Sequence, residues 1–169
     1  PCLNLITHLS MTTQTDGVLF MHRKVYLALY KGGADKFSYR FYDAVTRFFT
    51  RGQYSHCEIA VHIHNNIYHC YSSSIRNGGV RRKSMMLDDK WDLIKLDIDE
   101  SQIRQFYGAT EGSGYDLLGA LGVVLGLRQH PHKYFCSEWC FEAITNKQDG
   151  WRFSPNDLYA IKSILTRRH

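Results

Sequence analysis

The run "YSHCEIAVHIHNNIYHCYSSS" (residues 54–74) is the strongest structural signal in the chain, because it predicts a β-hairpin. Two β-prone stretches flank Asn65-Asn66, and asparagine tolerates the positive φ angles of a tight two-residue turn. With these asparagines as the whole loop, strand alternation gathers His56, Glu58 and Ser73 on one face of the hairpin. That face is too polar for an ordinary core, so the hairpin predicts a functional patch on a sheet.

The remaining strands and helices follow from hydrophobic periodicity. Apolar and alternating residues predict further strands within residues 18–32 and over residues 91–98, so we expect an antiparallel sheet of about four strands. Helical spacing predicts a short helix over residues 39–49, and Ser154 is a predicted helix N-cap. The C-terminal half predicts helices over residues 100–110, 115–126, 136–145 and 154–165. The expected fold is therefore α+β, with the sheet packed against C-terminal helices.

Length and composition predict one folded domain. The 169 residues suffice for a single hydrophobic core, and the 14% of aromatic residues predict that this core is rich in rings. We expect residues 1–16 to be a peripheral leader, or a cloning or processing remnant, and residues 17–169 to be the domain. The first ten residues lack the charged start of a signal peptide, and no stretch reaches the roughly 18 apolar residues of a membrane span. These features predict a soluble protein without a transmembrane segment.

Charge and cysteine content exclude several classes of function. The net charge of +5 allows an anionic partner, but the basic residues lie in short clusters at 81–83 and 167–169 that are typical of solvated faces. No specific nucleic-acid partner is predicted. The five cysteines form no disulfide pattern, and the CxxxC at 136–140 has no second pair to complete a zinc site. Since a phosphate-binding GK[ST] motif is also missing from the sequence, we predict no metal and no cofactor.

The segment "KYFCSEWCFEAI" (residues 133–144) places Cys136 at the start of a predicted amphipathic helix. The N–H groups and the dipole at a helix start lower the pKa of a thiol. A reactive thiolate also needs a base, normally a histidine that a third polar group orients, and His56 with Glu58 fits this requirement. The alternatives are a buried structural cysteine and a surface histidine. Cys140, one turn later, is interpreted as helix packing rather than a resolving thiol.

Five short motifs in a particular order resemble the circularly permuted branch of the NlpC-like, papain-fold cysteine peptidases. In that branch a strand "SH" supplies the base before a later helix supplies the nucleophile, the reverse of the order in papain. The resemblance covers about residues 17–165, and it is closest to small members encoded by tailed bacteriophages. The motifs are "YSHCEIAV" (54–61), "YSSSIRNGGVR" (71–81), "YDLLGAL" (115–121), "YFCSEW" (134–139) and "SPNDL" (154–158).

The resemblance implies a permuted papain-like fold in which Cys136 is the nucleophile and His56 is the general base. Relatives often carry the third residue on the strand after the histidine strand, where Ser73 and His69 are the candidates. Glu58 instead offers a carboxylate from the histidine's own strand. We prefer Glu58 for the third position, and Ser73 and His69 stay open.

The resemblance also implies a function. It predicts a cysteine hydrolase that cleaves an amide bond in peptidoglycan stem peptides, as a phage tail or virion component that contacts other tail proteins. Without the resemblance, a cytoplasmic location is expected. Tyr115 either lines the cleft, or donates to the oxyanion, or is a core residue. The alternatives are a lipid acyltransferase or thioesterase-like enzyme of the same permuted fold, and a catalytically silent structural module of the tail.

Overall fold

The structure is a computed structural model that is built around one β-sheet. It describes residues 23–32, 52–117, 119–120 and 132–166. The predicted leader (1–16), the predicted helix over residues 39–49 and most of the predicted helix over residues 115–126 lie outside the described residues. Within these limits the predicted α+β class is confirmed, since an antiparallel-rich sheet is combined with a few helices.

The described ranges contain seven strands, which form one sheet in the order β5-β1-β2-β3-β4-β6-β7. Their bounds are β1 Val25–Tyr30, β2 His56–His64, β3 Ile67–Ser74, β4 Gly79–Met86, β5 Trp91–Leu96, β6 Gly114–Tyr115 and β7 Lys133–Tyr134. All neighbours are antiparallel except β6 and β7, which are parallel. The prediction of about four strands is therefore wrong. Strands of two residues, such as β6 and β7, are too short to show an alternating pattern.

The described helices all follow β5 in the chain, and α1 precedes the two short strands β6 and β7. They are α1 Glu100–Thr110, α2 Cys136–Thr145, α3 Pro155–Ala160 and α4 Lys162–Leu165. The predicted bounds of α1 and α2 are confirmed, whereas the predicted helix over residues 154–165 is divided at Ile161. Ser154 is the N-cap of α3, as predicted, because its hydroxyl accepts a hydrogen bond from the Asp157 N–H at 3.2 Å.

Helix α2 packs against one face of the sheet and forms the larger core with it. Every residue of α2 from Cys136 to Ile144 is buried. Burying a large apolar side chain contributes about 1.5–3 kcal/mol, so this packing holds the start of α2 firmly against the sheet. The core includes Leu27, Leu29, Ile59, Tyr71, Trp139 and Cys140. A smaller cluster covers the opposite face, with Ala28, Ala60, Tyr68, Cys70 and Leu87.

The β2–β3 hairpin turns at the predicted asparagines, but its register changes within β2. Asn65 adopts a φ of 48°, and His64 pairs with Ile67 as a two-residue loop requires. Two residues earlier, His62 pairs with Tyr68 rather than with His69. One extra residue of β2 therefore lies between these pairs, which is a β-bulge.

The bulge moves part of the predicted polar patch to the other side of the sheet. Beyond it Ile59 pairs with Tyr71, so the predicted register is wrong by one residue. Since successive strand residues point to opposite faces, a shift of one residue exchanges the faces of β3 relative to β2. Ser72 thus shares a face with Glu58, and Ser73 lies on the opposite face.

Candidate active site

Cys136 is the first residue of α2 and is only 6% exposed. Tyr134, the residue before the N-cap Phe135, is held in place by two hydrogen bonds. Its carbonyl oxygen accepts one from the Ser73 hydroxyl at 2.6 Å and another from the Asp116 N–H at 3.1 Å. These contacts fix the backbone two residues before Cys136.

The approach of β6 to β4 brings this backbone close to the hairpin. Gly79 of β4 pairs with Gly114 of β6, and β6 pairs in turn with β7 just before α2. Gly79 has a φ of 153°, and a Cβ atom there would collide with the carbonyl oxygen of Ser113. Glycine is thus required at position 79 for the two strands to lie side by side.

His56 begins β2, and the chain that leads into it is anchored to α3. The side chain of Asn156 accepts a hydrogen bond from the Tyr54 N–H at 3.0 Å and donates one to the Tyr54 carbonyl at 2.9 Å. The "SPNDL" motif therefore fixes the start of the histidine strand. The His56 side chain is 22% exposed, and its ring meets the Trp91 ring edge-on with centroids 6.3 Å apart.

Glu58 connects His56 to a cation on another strand. Its Oε1 lies 3.1 Å from His56 Nε2, and its carboxylate accepts two hydrogen bonds from Arg81, at 2.6 and 2.8 Å. Arg81 reaches across β3 from β4, and the Glu58 side chain is only 2% exposed. Burial opposes ionisation, but the bonds from Arg81 and then His56 lower the pKa of Glu58 to about 2. Glu58 is thus a buried carboxylate at neutral pH.

Cys136 and His56 adjoin closely enough to hydrogen-bond and to stabilise each other's charge. Loss of hydration disfavours the imidazolium, but the Cys136 thiolate and then Glu58 raise the pKa of His56 to about 10. A hydrogen bond from the Cys57 thiol lowers the pKa of Cys136, burial opposes that effect, and His56 lowers the pKa further, so it lies well below the usual value. At neutral pH the pair is therefore a thiolate and an imidazolium.

The structure thus brings Cys136, His56 and Glu58 together, and it places the other two predicted third residues on the opposite face of the sheet from Glu58. Ser73 lies on the opposite face of the sheet from Glu58 and binds the backbone before the nucleophile. His69 pairs with Val61, not with His62 as the predicted register requires, and its Nδ1 lies 2.9 Å from the Ser84 hydroxyl. Both separations follow from the bulge in β2.

Tyr115 lies on β6 beside Tyr134, and its N–H donates to the carbonyl of Gly78 at 3.0 Å. It is therefore part of the strand next to the segment that carries Cys136. Its predicted role in the cleft or at the oxyanion stays a prediction.

The sequence patterns missed two residues of the site, Arg81 and Cys57. Arg81 stands in the "RRK" cluster, which was interpreted as a solvated face, but alternation along β4 directs it to the same face as Glu58. The available signal was the glutamate itself, since a buried carboxylate needs a cationic partner. Alternation along β2 places Cys57 on the apolar face opposite His56 and Glu58, but nothing in its own strand indicates that it meets α2.

Among the residues that the structure describes, no three His, Cys, Asp or Glu side chains are arranged to hold a metal ion. No helix in the same part of the chain is long and apolar enough to cross a membrane.

Comparisons of the chain with protein-family models, with curated proteins and with solved structures found no match.

Proposed function

We propose that the chain is a cysteine hydrolase that cleaves an amide bond through an acyl-enzyme on Cys136. The observation that carries this proposal is the series of contacts from Cys136 through His56 and Glu58 to Arg81. A nucleophile, a base and a group that orients the base are the parts that thiol hydrolases require.

The order of these parts along the chain supports a permuted papain-like fold. The strand that carries the base, β2, comes before the helix that carries the nucleophile, α2. Helix α2 packs on the central strands of an antiparallel-rich sheet, with its first residue near the start of β2. This order agrees with the motifs that resemble the NlpC-like branch.

In the first half of the reaction, the Cys136 thiolate attacks the carbonyl carbon of the scissile amide. A carbon–sulfur bond forms, and the carbonyl electron pair moves onto oxygen. When the tetrahedral intermediate collapses, the carbon–nitrogen bond breaks and protonated His56 gives its proton to the leaving amine. The products of this half are a free amine and a thioester on Cys136.

In the second half, neutral His56 takes a proton from water, and the resulting hydroxide attacks the thioester carbonyl. Collapse of this second intermediate releases the carboxylic acid and regenerates the Cys136 thiolate beside the His56 imidazolium. Glu58 stays ionised throughout and stabilises the imidazolium in each half of the cycle. Arg81 keeps the Glu58 carboxylate in one orientation.

The start of α2 provides a site for the oxyanion in both halves. The N-cap, Phe135, has no side-chain acceptor, so it cannot occupy the N–H groups of the first turn. These groups and the positive end of the helix dipole therefore stabilise negative charge next to Cys136.

The substrate we propose, by resemblance, is a stem peptide of peptidoglycan, and the setting is a phage tail or virion in which other tail proteins are partners. The test is incubation of the protein with purified muropeptides, followed by mass spectrometry. We expect new fragments that differ by hydrolysis of one amide bond. Cys136→Ser should keep the fold but lose nearly all cleavage, because a serine hydroxyl is far less acidic than a thiol. Cys140→Ser is the matched control, and cleavage that persists in Cys136→Ser would rule out the proposal.

Thiol labelling separates an enzyme from a silent structural module before any substrate is known. We expect Cys136 to be alkylated faster than Cys57, Cys70 and Cys140 near neutral pH, and His56→Ala to slow it. Equal labelling of the four cysteines would favour the structural module. Rapid labelling of Cys136 combined with acyl transfer from a phospholipid, and no muropeptide cleavage, would favour the lipid enzyme.

A further inference from the structure

Cys57 lies directly behind the candidate nucleophile. It follows His56 on β2, so its side chain leaves the strand on the face that packs against α2. Cys57 and Cys140 are both 0% exposed, and both belong to the same buried core cluster as Cys136, which is one helical turn before Cys140. The three thiols thus form a closed cluster between β2 and the start of α2.

Two consecutive residues of β2 lower the pKa of the Cys136 thiol. Hydrogen bonding from Cys57 is the largest cause, burial opposes it, and the neighbouring His56 lowers the pKa further. A buried anion is costly unless donors replace the water that it has lost. Strand β2 therefore provides the base at His56 and a thiol beside the thiolate at the next position, Cys57.

The charged side chains near this cluster have a different role from that of Cys57. The Glu58 carboxylate hydrogen-bonds to His56 on β2, and Arg81 on β4 neutralises this carboxylate. Burial raises the pKa of the Cys57 thiol well above its usual value, and its contacts with Cys136 and Cys140 raise it further. Cys57 therefore keeps its proton at neutral pH and acts as a donor, while Cys136 is the anion.

We propose that Cys57 is a positioning residue of the active site, whose thiol donates a hydrogen bond that holds the Cys136 sulfur as a thiolate aligned with His56. This role rests on the proposed function for its catalytic meaning, although the contact itself can be tested without a substrate. An S–H group is a weak donor, but in a buried site it is directed at a full negative charge.

The experiment measures the rate of Cys136 alkylation by iodoacetamide from pH 4 to pH 10, with peptide mass spectrometry to identify the labelled residue. We expect Cys57→Ala to raise the pH midpoint of this rate by about one unit, which is a roughly tenfold smaller thiolate fraction below the midpoint. Cys57→Ser keeps a donor at the same position and should restore most of the shift. Cys140→Ala removes an equally buried thiol of the same cluster and should leave the midpoint unchanged.

A midpoint in Cys57→Ala equal to that of the wild-type protein would overturn the inference. So would equal shifts in Cys57→Ala and Cys140→Ala, since that result indicates a general packing effect. If Cys57→Ala does not fold, the S–H stretching band of the wild-type protein decides. A band at lowered frequency that moves when Cys136 is protonated supports the inference, and a band that does not respond overturns it.

The outcome is distinguishable from failure of the proposed function. A shifted midpoint without muropeptide cleavage would refute the substrate and keep the Cys57 contact. Cleavage in a protein whose midpoint ignores Cys57 would keep the hydrolase and overturn the role of Cys57.

Discussion

Glu58 and Glu142 are both buried glutamates, but their carboxyl groups have opposite electrostatic surroundings. Glu58, 2% exposed, accepts two hydrogen bonds from Arg81, and its pKa falls to about 2 despite burial. Glu142, 7% exposed, lies on α2. Burial raises its pKa to about 7, a hydrogen bond from the Gly150 N–H opposes this shift, and Asp149 adds to it.

Burial by itself therefore does not set the charge of a carboxyl group. Both carboxyls lose their water, and what separates them is the partner that another segment of the chain supplies. Beside Glu58 that partner is a guanidinium, whereas the Gly150 N–H beside Glu142 does not outweigh the effect of burial and Asp149 adds to it. The Glu58 carboxyl is therefore fully ionised at neutral pH, next to His56. The Glu142 carboxyl on α2 is about half protonated at pH 7.

The largest expected effect comes from removing Arg81, the cation beside Glu58. Arg81→Met leaves the Glu58 carboxylate buried without its guanidinium, and breaking a buried ion pair in this way costs about 3–5 kcal/mol. Urea unfolding at pH 7 measures this loss in the free energy of unfolding. Arg82→Met, at the next and exposed position of β4, is the matched control. Equal losses in the two variants would show that the ion pair between Arg81 and Glu58 contributes nothing specific to stability.

The second prediction concerns turnover. Glu58→Gln keeps the size and one acceptor but loses the charge that stabilises protonated His56, so the pKa of His56 should fall. We expect a partial rate loss, smaller than the roughly 10²–10⁴-fold contribution of general acid–base catalysis itself. The alkaline limb of the pH–rate profile should also move to lower pH.

Ser73→Ala should reduce turnover less than Glu58→Gln does. Ser73 contacts the backbone before Cys136 and lies on the other face of the sheet from Glu58. Muropeptide cleavage rates compare the two variants directly. A larger loss in Ser73→Ala, with an unmoved alkaline limb in Glu58→Gln, would contradict the assignment of the third position.

The third prediction uses the pH dependence of stability. Folding raises the pKa of Glu142 from 4.5 to about 7, so the folded state binds more protons in this window and the free energy of unfolding falls as pH rises through it. The slope should stay below the roughly 1.4 kcal/mol per pH unit that one fully linked proton gives. Glu58 acts in the opposite direction, because its stabilisation is present above about pH 4.5 and is lost as pH falls towards about 2.

Glu142→Gln should therefore flatten the stability curve between pH 4.5 and 7 and make the protein more stable than wild type at pH 8. Thermal unfolding at a series of pH values checks this expectation. Glu111→Gln, at an exposed position after α1, is the control. A stability curve for Glu142→Gln that keeps the wild-type slope would contradict the raised pKa of Glu142.

The smallest expected effect is a shift in the pKa of Glu142 alone. Asp149→Asn removes the neighbouring charge but leaves burial and the Gly150 N–H in place, so the pKa of Glu142 should fall by less than one unit. An NMR titration of the Glu142 carboxyl carbon measures this change. A fall of several units would mean that Asp149, not burial, is the main cause of the raised pKa.

Local patterns in the sequence were enough to predict much of this structure. Helical spacing predicted the bounds of α1 and α2, Ser154 was identified as an N-cap, and the asparagine pair was placed at the turn of the hairpin. These features depend on residues within a few positions of one another, and propensity, capping and turn chemistry act at that range. The same local logic placed Cys136 at a helix start.

The contacts between distant side chains depend instead on tertiary packing. A bulge that no hydrophobic pattern encodes shifted β3 by one residue and moved Ser73 away from Glu58. Arg81 reaches Glu58 across an intervening strand, and Cys57 meets Cys136 because α2 packs on that face. Such contacts join residues 23 and 79 positions apart, at distances set by strand pairing and core packing rather than by sequence neighbours. The sequence determined where the chain turns and coils, and the packing of the sheet determined which charges and thiols face each other.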